Sequence, residues 1–195
     1  HRLQNVDELA KLTNLTNLDL SNCGNLQNVD LLANLSNITK LSLSEVKINV
    51  DVLINLTNLT NLDLSSCNLQ NVDSLANLTN LTYLDLSGCN IKNVDSLANL
   101  TNLTNLDLSS CYELQNVDEL ANLTKLTSLN LSSCHSIIQP QKEVMTTRKE
   151  VIEYQDKIRF VMALIDGNTK VLSDYKNNIS LDLSRCNLQN VDVLA

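Results

Sequence analysis

The sequence predicts an α/β solenoid. Short parallel β-strands line its concave face, and a helical insertion or cap interrupts it near the C-terminal end. Three observations carry this reading. A leucine recurs at a nearly fixed interval: Leu18, Leu41, Leu62, Leu84, Leu106 and Leu129 lie 23, 21, 22, 22 and 23 residues apart, and Leu181 centres a further copy 52 residues on. A period near 22 residues belongs to stacked repeats. Apolar and polar residues alternate around each of these leucines, as in LTYLDLSGC at 81–89, and alternation is the period of a strand. Residues 135–178 lose the repeat and take on helical spacing.

The second half of each unit reads differently from the first. In NIKNVDSLANL, apolar residues fall at Ile91, Val94, Leu97, Ala98 and Leu100, which suits a short 3₁₀ or α turn. Asp30, Asp51, Asp73, Asp95 and Asp118 stand where that turn should begin, and a carboxylate there is expected to cap the free backbone N–H groups. One unit cannot bury its own leucines, so stacking must create a single continuous core. Copies one and five gain a residue after the cysteine and copy two loses one, changes that loops absorb. Residues 1–10 (HRLQNVDELA) are the second half of a unit and nearly repeat residues 186–195 (CNLQNVDVLA). Starting inside a repeat, the chain reads as a fragment or a processed product. The near-identity of its two ends is either the chance likeness of any two copies or the mark of a longer tandem array.

The motif LxxLxLxxC, recurring in register, resembles that of leucine-rich repeat proteins over 11–134 and 179–195. The NVDxLANLTNL half is similar to the bacterial internalins and to the short-repeat intracellular class of phosphatase regulators. Those families usually carry Asn where this chain has Cys. The resemblance implies a curved solenoid used to bind other proteins. On this basis the chain divides into a solenoid at 1–134, a helical insertion or cap-like segment at 135–178, and a further repeat at 179–195.

In the interrupting segment, Val144, Val151, Ile158 and Ile165 recur every seven residues, with Tyr154 and Val161 between them. This is an apolar stripe on a helix. Pro140 suits a first helical position and Gly167 a C-cap. A helix from Gln141 to Asp166 would be roughly 39 Å long. The segment from 140 to 178 holds seven Lys/Arg and six Asp/Glu, whereas the rest of the chain holds seven and sixteen. It also resembles the C-terminal cap of the intracellular leucine-rich repeat class at Arg148, Val151, Ile152, Ile158, Asp166 and Gly167. Gln155-Asp156 stands where that pattern implies Leu-Pro, and a repeat follows. The helix is therefore expected to cover the edge of the core, or to dock a partner or a neighbouring copy, through Val144, Arg148, Val151, Tyr154, Ile158, Val161 and Ile165.

Cys23, Cys67, Cys89, Cys111, Cys134 and Cys186 occupy one repeat position, with Val46 there in the second copy. Neighbouring strands lie about 4.8 Å apart, but side chains of a parallel ladder point the same way and a disulfide would distort the stack. A reduced ladder of small buried side chains is expected, against the alternatives of disulfides or a metal.

The residue between the two strand leucines reads Asp19, Ser42, Asp63, Asp85, Asp107, Asn130 and Asp182. The residue before them reads Asn17, Lys40, Asn61, Tyr83, Asn105, Ser128 and Ser180, and a serine follows in every copy. The concave face should thus carry an acidic stripe beside a serine stripe. The stripe is either a solvated feature of the repeat or a site for a basic partner or a cation such as calcium. Tyr83 is the one aromatic of this face, and Tyr and Arg dominate binding hot spots. Tyr83 with Lys40 and Asp85 is the local candidate. The Asn-x-Thr triplets at Asn14, Asn58, Asn80 and Asn102 are by-products of the repeat.

A net charge of −8 argues against nucleic acid, whose binders show a basic face. No apolar run is long enough to insert in a membrane. With two histidines, His1 and His135, and three scattered glycines, no metal spacing, nucleophile–base set or phosphate loop is present. The chain is expected not to be an enzyme and to need no cofactor. Two functions remain: a protein-interaction scaffold using the concave surface, with a basic protein as partner, or a structural subunit stacking end to end with further copies of itself. The thiols and the cap-like motif argue for the cytoplasm. The internalin likeness argues for the cell surface or the extracellular space.

Overall fold

The computed structural model describes residues 3–137 and 144–166. Six three-residue strands, β1 (Asn17–Asp19), β2 (Lys40–Ser42), β3 (Asn61–Asp63), β4 (Tyr83–Asp85), β5 (Asn105–Asp107) and β6 (Ser128–Asn130), pair in sequence order. All six are parallel, with the repeat leucines in register from Leu18 to Leu129. A two-residue strand, β7 (Val144–Met145), closes the order antiparallel to β6. Short 3₁₀ turns return the chain between strands, among them Asp73–Asn77, Asp95–Asn99 and Asp118–Asn122. An α-helix, α1 (Arg148–Ile165), follows β7. The strands are short because each repeat must turn back within about 22 residues, and the turn begins directly after the second strand leucine.

That turn uses the same backbone conformation in every repeat. Asn22, Glu45, Ser66, Gly88, Ser110 and Ser133 all have φ between 56° and 68°. Five of the six are not glycine, although the left-handed region costs an L-residue about 1 kcal/mol. The ladder holds them there: the N–H groups of Asn22, Glu45, Ser66, Gly88 and Ser110 each donate to a serine carbonyl of the next repeat at 2.7–2.9 Å.

The repeat position that follows carries the cysteines. All five described cysteines are free, and four are buried. Their thiols reach back one repeat: Cys67 Sγ donates to Leu43 O, Cys89 to Leu64 O, Cys111 to Leu86 O and Cys134 to Leu108 O, at 3.0–3.3 Å. A cysteine at this position therefore supplies a donor to an inward carbonyl while burying little polar surface. Burial pushes the Cys67 and Cys111 thiols up to about 12. Cys186 lies outside the described residues.

The aspartates do not cap the turns as expected. The cap is the asparagine two residues earlier: Asn49, Asn71 and Asn116 Oδ1 accept from the N–H of Asp51, Asp73 and Asp118 at 2.6–3.1 Å. Each aspartate is already inside the turn, so the short side chain before it is the one that can reach forward. The Asp7 carboxylate instead accepts from Asn28 Nδ2 of the next repeat at 2.7 Å, and Asp51 accepts from Ser74 Oγ. The loop asparagines also link repeats, with Asn37, Asn58, Asn80 and Asn102 Nδ2 donating to carbonyls one repeat back at 2.8–2.9 Å.

The helix begins later than its sequence pattern suggests. It spans 18 residues, about 27 Å, because Thr147 and Glu150 form a capping box. Val144 lies in β7, exposed, and is not helical; Met145 beside it is fully buried. The seven-residue interval from Val144 to Val151 thus joins a strand to a helix. Pro140, Gln141 and Gly167 lie outside the described residues. Val151, Tyr154 and Ile158 enter the common core and Val161 is also buried, whereas Ile165 is 67% exposed. The helix packs chiefly on the turn at Asp118–Asn122, and Arg148 Nη1 donates to Leu126 O at 2.6 Å. Gln155 is 1% exposed, and its Nε2 donates to Leu120 O at 2.7 Å and Leu123 O at 3.0 Å. Arg159 adds a bond to Ala121 O.

Gln155→Ala should therefore lower stability by about 2 kcal/mol, the loss of two buried hydrogen bonds at about 1 kcal/mol each, as read by urea denaturation. The same loss should not follow Glu153→Ala, whose side chain is exposed. In the native chain a thiol reagent should label Cys23, which is partly exposed, far faster than Cys89 or Cys111, with mass spectrometry identifying the modified residue.

Candidate functional site

The strands turn their polar residues to the concave face because their leucines take the other side. The pairing sets two rows. Asn17, Lys40, Asn61, Tyr83, Asn105 and Ser128 form one; Asp19, Ser42, Asp63, Asp85, Asp107 and Asn130 form the other. Asp63, Asp85 and Asp107 are directly opposed across three neighbouring strands, where like charges repel.

The acidic row is built into the fold by the serines beside it. Asp19, Asp63, Asp85 and Asp107 Oδ1 each accept from the backbone N–H of the serine two residues on, at 2.8–2.9 Å. Ser65 and Ser109 Oγ donate to the same oxygens at 2.7 and 2.6 Å. Asn130 does the same with Ser132. Between strands, Ser42 Oγ donates to Asp63 Oδ2 at 2.8 Å and Asn130 Nδ2 to Asp107 Oδ2 at 2.9 Å. The Asp-Leu-Ser spacing was legible as a serine stripe. Its role as a latch that closes each strand was not read, although an acceptor side chain two residues before a turn N–H is the signal for it.

Charge along the row is uneven. Hydrogen bonds from Ser21 hold the Asp19 carboxyl below the usual range. Burial pushes Asp85 up, against the hydrogen bonds from Ser87, and Asp107 and Asp63 on either side add to the rise. Burial and the Asp85 and Asp63 carboxylates push the Tyr83 phenol up to about 12. Its hydroxyl lies 3.4 Å from Asp85 Oδ2, to which it donates.

Four of the residues singled out in the sequence come together. Asp19, Lys40, Asp63 and Tyr83 line an open depression of about 440 Å³ with Asn17 and Asn61. Asp85 and Asp107 continue the acidic row beyond it. The helix residues are not part of this face, since α1 packs on the turn at Asp118–Asn122, and Asp182 lies outside the described residues. Among the described residues no three His, Cys, Asp or Glu side chains are placed to hold a metal ion. No described helix is long and apolar enough to cross a membrane.

A family model for leucine-rich repeats in two copies matches residues 57–99 and 79–122. The described repeats have the fold of a leucine-rich repeat solenoid. The chain is similar to internalin C2 of Listeria monocytogenes, at 27% identity and a TM-score of 0.54, over 66% of this chain and 66% of that one. It is also similar to the functional domain of InlJ from Listeria monocytogenes, which is described as including a cysteine ladder, at 25% identity and a TM-score of 0.55, over 72% of this chain and 34% of that one. The repeat chain thus spans less than two thirds of the first structure and about a third of the second. No curated protein matches the sequence. The internalin likeness read from NVDxLANLTNL agrees with these structures, as does the cysteine in place of the usual Asn.

Asp85→Asn should keep the oxygen that accepts from Ser87, as Asn130 does for Ser132. A carboxyl whose folded-state affinity for the proton is raised costs stability once ionised, and that cost disappears when it is protonated in both states. Asp85→Asn should therefore be more stable than the parent at neutral pH. The gain should vanish as pH falls below the ordinary carboxylate range, near pH 4. Urea denaturation at the two pH values measures this, and a gain that persists in acid would assign it to packing.

Proposed function

We propose that this leucine-rich repeat solenoid is a non-catalytic protein-interaction scaffold whose concave face takes a basic polypeptide segment. The depression lined by Asp19, Asp63 and Tyr83 carries the reading. Carboxylates beside an aromatic ring suit a guanidinium or ammonium group, which gains charge-assisted hydrogen bonds and a cation–π contact together. Lys40, on the same wall, excludes cations from part of the depression. It thus favours an extended segment that alternates basic residues with acidic or amide ones over a uniformly basic tract. The bases of Asp63 and Asp107 are fixed by serine hydrogen bonds, so little side-chain entropy is lost when they bind.

The test uses a fluorescein-labelled peptide alternating Arg and Gln, with a Glu-for-Arg peptide as control, followed by anisotropy. The Arg peptide should bind saturably and weaken with salt, and the Glu peptide should not bind. The combined Asp63→Asn, Asp85→Asn and Asp107→Asn variant keeps the serine latches. It should lose binding at least tenfold, as should Tyr83→Ala. Equal binding of both peptides, or unchanged affinity in the triple variant, would remove the proposal.

A further inference from the structure

We propose that Asn34, Asn55, Asn77 and Asn99 form a row of acceptors for N-linked oligosaccharide, and that the matching triplets three residues further on do not. The repeat carries an Asn-x-Thr or Asn-x-Ser triplet twice. The first set starts at Asn34, Asn55, Asn77 and Asn99, and the second at Asn37, Asn58, Asn80 and Asn102. Such a triplet on an accessible surface is the acceptor pattern for an oligosaccharide on the asparagine amide. Except for Ser36 and Ile38, every one of these triplets reads Asn-Leu-Thr, so the local sequence does not separate the two sets. The fold does.

The second set is taken up by the stack. Nδ2 of Asn37, Asn58, Asn80 and Asn102 donates to a carbonyl one repeat back at 2.8–2.9 Å. The threonine two residues after each, Thr39, Thr60, Thr82 and Thr104, donates Oγ1 to another carbonyl of the preceding repeat at 2.9–3.1 Å. Asn102 Oδ1 also accepts from Lys125 Nζ at 2.6 Å. A sugar on one of these amides would have to enter the seam between two repeats and displace bonds that hold their register.

The first set faces solvent. Asn34, Asn77 and Asn99 end the 3₁₀ turns Val29–Asn34, Asp73–Asn77 and Asp95–Asn99, and Asn55 stands just past the turn Val50–Leu53. All four are exposed, as are the hydroxyl residues two further on, Ser36, Thr57, Thr79 and Thr101. Among the described residues, none of these side chains has a hydrogen-bond partner, so amide and hydroxyl are available together. The next copy differs: Asn122 Nδ2 donates to Glu119 Oε2 at 2.6 Å, and α1 packs on its turn. The donor is an oligosaccharide joined to a lipid through pyrophosphate. The amide nitrogen attacks the anomeric carbon. The N–C bond forms as the C–O bond to pyrophosphate breaks, the lipid pyrophosphate leaves with the electron pair, and the amide gives up one proton. The row lies on the turns and not on the strands that carry the acidic face, so oligosaccharides here leave that face open.

The test incubates the folded full chain with a single-subunit oligosaccharyltransferase and a lipid-pyrophosphate-linked oligosaccharide. Peptide N-glycanase in ¹⁸O-water then marks each modified asparagine for mass spectrometry. Peptides released from the chain by trypsin, which keep the triplets and lose the fold, are the control. In the folded chain the first set should be modified at least tenfold more than the second, and in the peptides the two sets should be modified alike. Thr79→Ala should remove the sugar from Asn77 and leave it on Asn55 and Asn99. A folded chain modified at no triplet, or alike in both sets, would overturn the proposal. A preference of the same size in the peptides would do so too, because the fold would then not be its cause. None of these readouts depends on the concave face, so this proposal and the basic-peptide reading fail separately.

Discussion

The leucine at the centre of each strand is buried because a repeat lies on either side of it. Leu62 and Leu84 are fully buried, and Leu18, with a neighbour on one side alone, is not. Burying one such side chain contributes about 2 kcal/mol, and a single repeat has no means of doing so alone. Stability is accordingly a property of the interfaces between repeats. The rest of the structure follows from keeping those interfaces in register: the period near 22 residues, the three-residue strands, and the left-handed residue that begins every return.

Hydrogen bonds between repeats enforce that register at four points around the circumference. The backbone ladder runs along the strands. Threonine and asparagine side chains bond one repeat back before each strand, cysteine thiols do so in the interior, and serine and aspartate link neighbours on the concave face. The thiol gives a second donor to an inward carbonyl that already accepts a backbone N–H, as Leu64 O does from Cys67. After the sixth repeat, Gln155 and Arg159 of the helix supply donors to the carbonyls of Leu120, Ala121 and Leu123. Cysteine and asparagine supply donors to carbonyls between the repeats, and the helix does so beside the sixth.

The concave aspartates serve two purposes at once. They close their own strands by accepting from serine N–H groups, and they leave a fixed row of negative charge on an open surface. Their mutual repulsion is tolerated because the same hydrogen bonds stabilise the ionised form. Asp85, between two like charges and half buried, is the point where this balance is least favourable.

Much of the architecture was legible in the chain itself. The fixed period and the alternation around each leucine determined a stack of parallel strands, and the single repeat position of the cysteines determined an interior thiol row. The concave rows followed from strand alternation, so Asp63, Asp85, Asp107, Tyr83 and Lys40 could be placed before any coordinates. What the sequence left undecided depends on contacts between residues far apart in it. Periodicity could not separate Val144 in a strand from Val151 in a helix, because sheet pairing with β6 pulls the first into the edge. Gln155 looked like a departure from the cap pattern and is a buried donor, a role set by carbonyls more than 30 residues away. Asparagine, and not aspartate, caps turns at Asn49, Asn71 and Asn116 because the aspartate two residues on is already part of the turn and presents its own N–H to be capped. Repetition makes a fold readable from local pattern. Its ends and its site depend on where the pattern meets something other than itself, and only the tertiary structure decides that.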